Sequence, residues 1–334
     1  MKKINLYIFL SFVLMIISSC ATSSKIKGVD VMPPQEGAKN EMVKQSVELN
    51  LNISVEKQKY VLGEPVYLLA ELINESNQSL KLNKHLRPGD GSLEIMIRDS
   101  KKEATEFVPL EEADIDMSSR AELRPGQSFA AEFQIFFGGH GWSFPKAGVY
   151  QIKASYKSNL DNKTYVEVES KPIKIEIADK SSQLQKELVS GSRMSYQSGL
   201  FLTWGSGDHL TKGHSMLQKL LESGDSQQLG NYINLAFGKS FSDSFMDYRS
   251  KSKEARPADY KRALEYLDKV NVRYLPRYLK VQFHLAKIRC SYNHQEQNGD
   301  LAMRHFDALD KLIGDEVAYE ALYEKIIEMK GRVK

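Results

Sequence analysis

From residue 47 the chain alternates. Val47, Leu49, Leu51, Ile53 and Val55 are apolar, while Glu48, Asn50, Asn52 and Ser54 are polar, a period of two that sends successive side chains to opposite faces of a strand. The same patterning predicts strands over 66–73, after the turn Gly63-Glu64-Pro65, and over 93–98, 129–137, 150–156, 164–168 and 173–177. Several short strands bounded by turn residues within about 130 residues predict an antiparallel sandwich. Near residue 181 the period lengthens. Leu184 and Leu188, then Leu217, Leu220 and Leu221, and most clearly Tyr260, Ala263, Leu264, Leu267 and Val270 recur at separations of three and four, which places each set on one helix face. Pro257 suits the first turn of the last of these helices, with Asp259 adding negative charge there. Further helices are expected over 275–292, 300–312 and 315–329, and their short links imply antiparallel helical hairpins. The fold class expected is therefore multidomain, β plus α. An antiparallel β-sandwich over 47–178 would be followed by an all-α helical-hairpin domain over 181–334.

The chain opens differently. Lys2 and Lys3 precede an apolar run from Ile4 to Ile17, broken by Asn5, Tyr7 and Ser11 and followed by small residues, the order of an export signal. The run is shorter than the ~20 apolar residues of a spanning helix, so residues 1–19 read as a cleaved signal peptide. The tetrapeptide Ile17-Ser18-Ser19-Cys20 resembles the lipobox of bacterial lipoproteins, which implies lipidation of Cys20. Several acyl chains on one residue suffice for stable anchoring at about 0.8 kcal/mol per buried CH₂. By the same resemblance, Ala21 after the cysteine implies the outer membrane if the source is Gram-negative, with the body in the periplasm or at the cell surface. Residues 20–46, with Ser23, Ser24, Gly28, Pro33, Pro34 and Gly37, hold few large apolar groups and read as a flexible tether.

Three phrases, Tyr60-Val61-Leu62-Gly63-Glu64-Pro65-Val66, Leu123-Arg124-Pro125-Gly126-Gln127-Ser128 and Ala147-Gly148-Val149-Tyr150-Gln151-Ile152, resemble turn-and-strand phrases of bacterial immunoglobulin-like domains. The resemblance implies a fold and no activity. Ala263, Leu267, Val270 and Pro276, echoed by Ala302, Phe306 and Leu309, are loosely similar to positions closing a tetratricopeptide unit. The two sets lie further apart than the ~34 residues of a strict unit, so a non-repetitive bundle stands beside that reading. As a whole the chain resembles uncharacterised bacterial envelope lipoproteins that join an immunoglobulin-like domain to a helical tail.

Composition narrows the chemistry. A formal charge of +3 with both signs interspersed lacks the basic stripe of a nucleic-acid partner. The short cluster 249–253 reads as a solvated turn. Only two cysteines exist, and lipid on Cys20 leaves Cys290 without an intramolecular partner, so packed cores and not disulfides must hold the fold. No cofactor is expected beyond that covalent lipid.

Two clusters could carry a site. Asp208, His209 and His214 offer carboxylate and imidazole ligands for zinc, or a base and its orienting group. Their spacing does not match the i, i+4 helical zinc face. The simpler account has Gly205 and Gly207 forming a turn, Asp208 capping a helix that starts near His209, and the histidines packing locally or solvated. Ser206 in Gly205-Ser206-Gly207 lacks the full nucleophile-elbow spacing. The second cluster runs Phe136-Phe137-Gly138-Gly139-His140-Gly141-Trp142-Ser143-Phe144-Pro145. Its glycines permit close backbone approach and positive φ, while Trp142 and Phe144 offer apolar faces. Either His140, Trp142, Phe144 and Trp204 contact a ligand, or these rings close the end of the sandwich and pack against the helices near Phe201 and Trp204. No complete catalytic motif is present and no catalytic residue is expected. The expected role is a membrane-held, non-enzymatic binding or scaffolding module for a protein partner, with glycan capture by the Trp142 loop and a metal-dependent or other hydrolase at Asp208, His209 and His214 as alternatives.

Overall fold

The structure is a computed structural model that describes residues 43–44, 47–89, 91–101, 103–110, 120–161, 164–246, 255–293 and 299–313. The expected signal peptide, Cys20, most of the expected tether, the basic cluster 249–253 and the helix expected over 315–329 lie outside the described residues.

The strands come first, as β1 (Val43–Lys44), β2 (Leu49–Val55), β3 (Lys59–Tyr60), β4 (Tyr67–Asn74), β5 (Leu80–Asn83), β6 (Leu93–Arg98) and β7 (Ala104–Glu106). They continue with β8 (Arg120–Leu123), β9 (Ser128–Gln134), β10 (Phe137–Gly138), β11 (Gly141–Trp142), β12 (Gly148–Asn159), β13 (Thr164–Glu169) and β14 (Ile173–Ile177). The helices follow, as α1 (Gln183–Leu188), α2 (Arg193–Trp204), α3 (Thr211–Ser223), α4 (Gln227–Ser242), α5 (Tyr260–Leu267), α6 (Arg277–Asn293) and α7 (Gly299–Ile313). A two-stranded ribbon, β15 (Phe245–Met246) with β16 (Ala255–Arg256), sits between α4 and α5. The described residues thus hold both helices and mostly antiparallel sheets, a mixed architecture.

The long strand β12 organises the larger sheet. Its first part pairs with β14, its second part with β13, and its other edge with β6, which in turn pairs with β7. A second sheet has the order β2-β4-β9, all antiparallel. The alternation read from sequence is the burial pattern found. In β2, Leu51 and Ile53 are buried and Asn52 and Ser54 exposed, and β4 buries Leu68, Ala70 and Leu72. These side chains share one apolar core with Ile95, Ile152, Tyr156 and Ile175 of the larger sheet.

That core does not stop at the last strand. Leu188, Phe201, Leu217, Ile233 and Phe237, from α1 to α4, belong to the same cluster, and residues 41–334 form one compact unit. The link is local and specific. Gln185 of α1 donates to the carbonyl oxygen of Leu62, and Leu188 lies where a side chain on Gly63 would have to go. Helix α1 begins with a capping box, in which the Ser182 hydroxyl accepts from Gln185 N and the Gln185 side chain accepts from Ser182 N, satisfying two otherwise orphan donors.

Helix α6 buries two faces. Leu279, Phe283, Ala286 and Cys290, three and four apart, face α4 and α5, whereas Val281, Leu285 and Ile288 meet Ala302, Phe306 and Leu309 of α7. Arg277 Nε donates to Leu312 O at 2.8 Å, tying the start of α6 to the end of α7. Among the described helices, none is long and apolar enough to cross a membrane.

Some boundaries differ from expectation. The strand expected over 129–137 ends at Gln134, where Ile135 N turns to Val66 O. Helix α6 starts at Arg277, not Leu275, because a residue preceding proline disfavours the helical region; Pro276 O accepts from Lys280 N instead. Pro257 lies outside α5, whose cap is Asp259, its carboxylate accepting from Arg262 N at 3.0 Å. The charge expected in the first turn therefore acts one step earlier, as the cap itself.

Candidate functional site

The glycine-rich segment forms a hairpin. Phe137 pairs with Trp142 and Gly138 with Gly141, leaving Gly139 and His140 at the tip. Gly138 is required by a close approach, because a Cβ there would stand 2.2 Å from Val108 O. Gly139 N donates to that same oxygen at 2.7 Å. The hairpin is thereby fastened to the segment that follows β7.

Its other side meets α2. Phe137 is fully buried beneath Gly199, where any Cβ would fall 2.2 Å from the ring. Tyr196 lies edge-on to Phe137 at 5.2 Å. The Trp142 ring packs on Phe136 and Phe137, with centroids 5.9 and 5.5 Å away, and its Nε1–H donates to Ser195 O at 3.3 Å. Trp142 is half-buried, Phe144 is buried edge-on to Tyr150 at 5.1 Å, and His140 is exposed. Of the two readings open for these rings, packing against the sandwich end and the helices describes Phe137 and Phe144. Trp142 does both: it packs, and one side of it lines a cleft.

The cleft has a volume of about 260 Å³ and runs between the hairpin and the edge of the larger sheet. Its lining includes the apolar Ile97, Phe107 and Tyr150, the carboxylates of Asp99, Glu103 and Glu106, and His140, Trp142 and Lys146. The Tyr150 hydroxyl donates to Lys146 O at 3.0 Å, and burial raises its pKa, so the phenol stays protonated. A second cleft of about 400 Å³ shares Glu106, Phe107 and Val108 with the first and adds Glu94, Lys157 and Glu167. Strand β7, all three residues exposed, pairs only with β6 among the described strands. Its far edge has no partner among the described strands.

The Asp208 cluster takes another form. Asp208 does not cap a helix. Helix α3 starts two residues later than expected, at Thr211 behind Leu210, with no side-chain cap. The Asp208 carboxylate instead accepts from Arg256 Nε at 2.5 Å, and Arg256 also donates to Ser240 O at 2.8 Å. The guanidinium, with its five donors, outcompetes a neutral backbone amide for the carboxylate. His209 stands against Phe245 with centroids 5.9 Å apart. His214 lies edge-on to Phe201 at 4.3 Å and near Phe237 at 5.6 Å, and burial lowers its pKa. The local-packing account holds for His214. Among the described residues no three His, Cys, Asp or Glu side chains are grouped to hold a metal. Trp204, at the exposed end of α2, does not join the Trp142 cleft.

Several cleft residues escaped the sequence reading. Thr105 and Phe107 alternate with Ala104 and Glu106, but a strand of three residues is too short for its period to stand out. The Ser195 carbonyl has no sequence signal at all.

No family model and no curated protein matches the chain. Among solved structures it is similar to the putative ApaA protein from Bordetella pertussis, with 11% identity over 41% of this chain and 100% of that one at a TM-score of 0.26. It is also similar to Spo0M, a sporulation control protein from Bacillus subtilis, with 10% identity over 44% of this chain and 54% of that one at 0.25. A beta-glucosidase from Listeria innocua follows, with 12% identity over 41% of this chain and 17% of that one at 0.24. Likenesses at this level carry no argument about activity.

Proposed function

We propose that the chain is an envelope lipoprotein, anchored through Cys20, whose folded part is a non-enzymatic module that receives an extended segment of a protein partner in the Trp142 cleft. In this reading residues 47–178 are an immunoglobulin-like sandwich and residues 181–334 a helical domain, possessing no catalytic role. The observation that carries it is the cleft itself beside an edge of β7 that no described strand pairs. An extended peptide adds to such an edge through backbone hydrogen bonds and places alternate side chains in adjoining pockets. A volume of about 260 Å³ is below the ~300–1,000 Å³ of small-molecule sites and suits one or two side chains. The carboxylates of Asp99, Glu103 and Glu106 outnumber the single ammonium of Lys146 there, which favours a basic segment. Glycan capture is less well supported, because Phe136 and Phe137 occupy much of the Trp142 ring and its N–H is engaged.

A photo-crosslinking amino acid at His140, with one at the 62% exposed Tyr274 as control, tests this in whole cells. The expected result is one defined protein adduct from position 140 alone, lost when Glu103 and Glu106 are changed to Lys. Equal adducts from both positions, or none from position 140, would overturn it. Membrane attachment is checked separately by metabolic palmitate labelling, which Cys20→Ser should abolish.

A further inference from the structure

His284 of α6 and His305 of α7 lie outside the cleft and face each other across the helix pair. Their Nδ1 atoms are 2.8 Å apart and their ring centroids 5.1 Å. Both rings are half-buried against Phe283, at 5.3 and 6.1 Å. The 2.8 Å separation is that of an N–H···N hydrogen bond between the rings, which an ion bound to both Nδ1 atoms would replace. Affinity of nitrogen ligands such as imidazole for first-row divalent ions rises through Ni(II) to a maximum at Cu(II). We propose that His284 and His305 form a bidentate site for such a divalent ion, Cu(II) foremost, which clamps α7 to α6.

The surroundings suit a cation of this kind. Burial lowers the pKa of both rings, and His284 and Lys287 lower His305 further, to about 4, so at neutral pH both are uncharged, the form metals bind. One of the two now carries its proton on the shared line. Chelation moves that proton to Nε2 of the same ring, with no net release. Lys287, one turn from His284, is ion-paired with Asp268, which offsets the positive charge near the site. Among the described residues no third His, Cys, Asp or Glu joins the pair. The ion would act beside Val281, Leu285, Ile288, Ala302, Phe306, Leu309 and Ile313, which form a cluster separate from the main core.

The test titrates the full chain with Cu²⁺ alone, then Ni²⁺ alone, followed by calorimetry, electron paramagnetic resonance and thermal melts. The expected result is one ion per chain, superhyperfine splitting from two nitrogens, and a melting temperature that rises with the ion. His284→Gln and His305→Gln should each remove one nitrogen, weaken binding on the order of tenfold or more and cancel the thermal shift, while His85→Gln changes none of these. A wild-type spectrum with fewer than two nitrogens, or equal affinity in the wild type and both Gln variants, would overturn the site. The first outcome needs no variant to fold.

Discussion

Trp142 donates its indole N–H to the carbonyl oxygen of Ser195, 53 positions along the chain, at 3.3 Å. This bond joins the hairpin that lines the cleft to the helix that backs it, so the shape of the cleft depends on the helical part. Trp142→Phe keeps the ring against Phe136 and Phe137 but removes the bond. A loss of about 0.5–1.5 kcal/mol in urea unfolding is expected. The photo-adduct at position 140 should fall with it. An unchanged adduct would separate cleft shape from this contact.

Gly199, like Gly138, has no room for a side chain. A Cβ would meet the Phe137 ring at 2.2 Å, and the ring has no room to retreat because it is fully buried. Gly199→Val is expected to cost about 1–3 kcal/mol through overpacking. Gly299→Val makes the contrast, since nothing lies within 4 Å of a Cβ there and its φ is not positive.

Acid should loosen the α6–α7 pair even without metal. The folded-state pKa values of His284, His305 and His214 lie below the ordinary 6.5, so the unfolded chain binds more protons as pH falls below that value. Their contribution is complete above pH 6.5 and is lost as pH drops through the folded values, about 4 for His305. Urea midpoints measured between pH 7.5 and 4.5 should fall for the wild type and fall less for His305→Gln. Equal slopes would mean that the pair titrates alike in both states.

Cys290 should be inert. It is fully buried among α4–α6 side chains, and burial pushes its thiol up to about 11, so little thiolate exists at neutral pH. Peptide mapping after alkylation should find it unmodified in the folded chain and modified in urea. Rapid labelling under native conditions would show that the helical part opens readily.

Much of the architecture was readable because burial and period coincide. Strands β6 and β14 have the bounds that their alternation predicts, and β2 and β4 differ by one or two residues. Short strands such as β5, β7 and β8 were not readable, since three or four residues carry no distinguishable period. Helix α6 gave a run but not its meaning, because two buried faces blur the one-sided stripe from which amphipathic helices are recognised. At the site, the glycines and rings of 136–145 announced a close-packed loop, and Phe137 beneath Gly199 fulfils that. What stayed hidden were partners distant in sequence. Arg256 claims Asp208 from 48 positions away, and no local rule could prefer it over a helix amide.

The apolar core that begins at Leu51 is closed by Phe201, Leu217 and Phe237. A chain emerging N-terminus first therefore presents its strands long before the helices that cover them. Until α2 has formed, Phe137 lacks the Gly199 backbone that covers it. The last part of that core is therefore completed by residues made after all the strands, and the Phe137 ring has no cover from α2 during that interval.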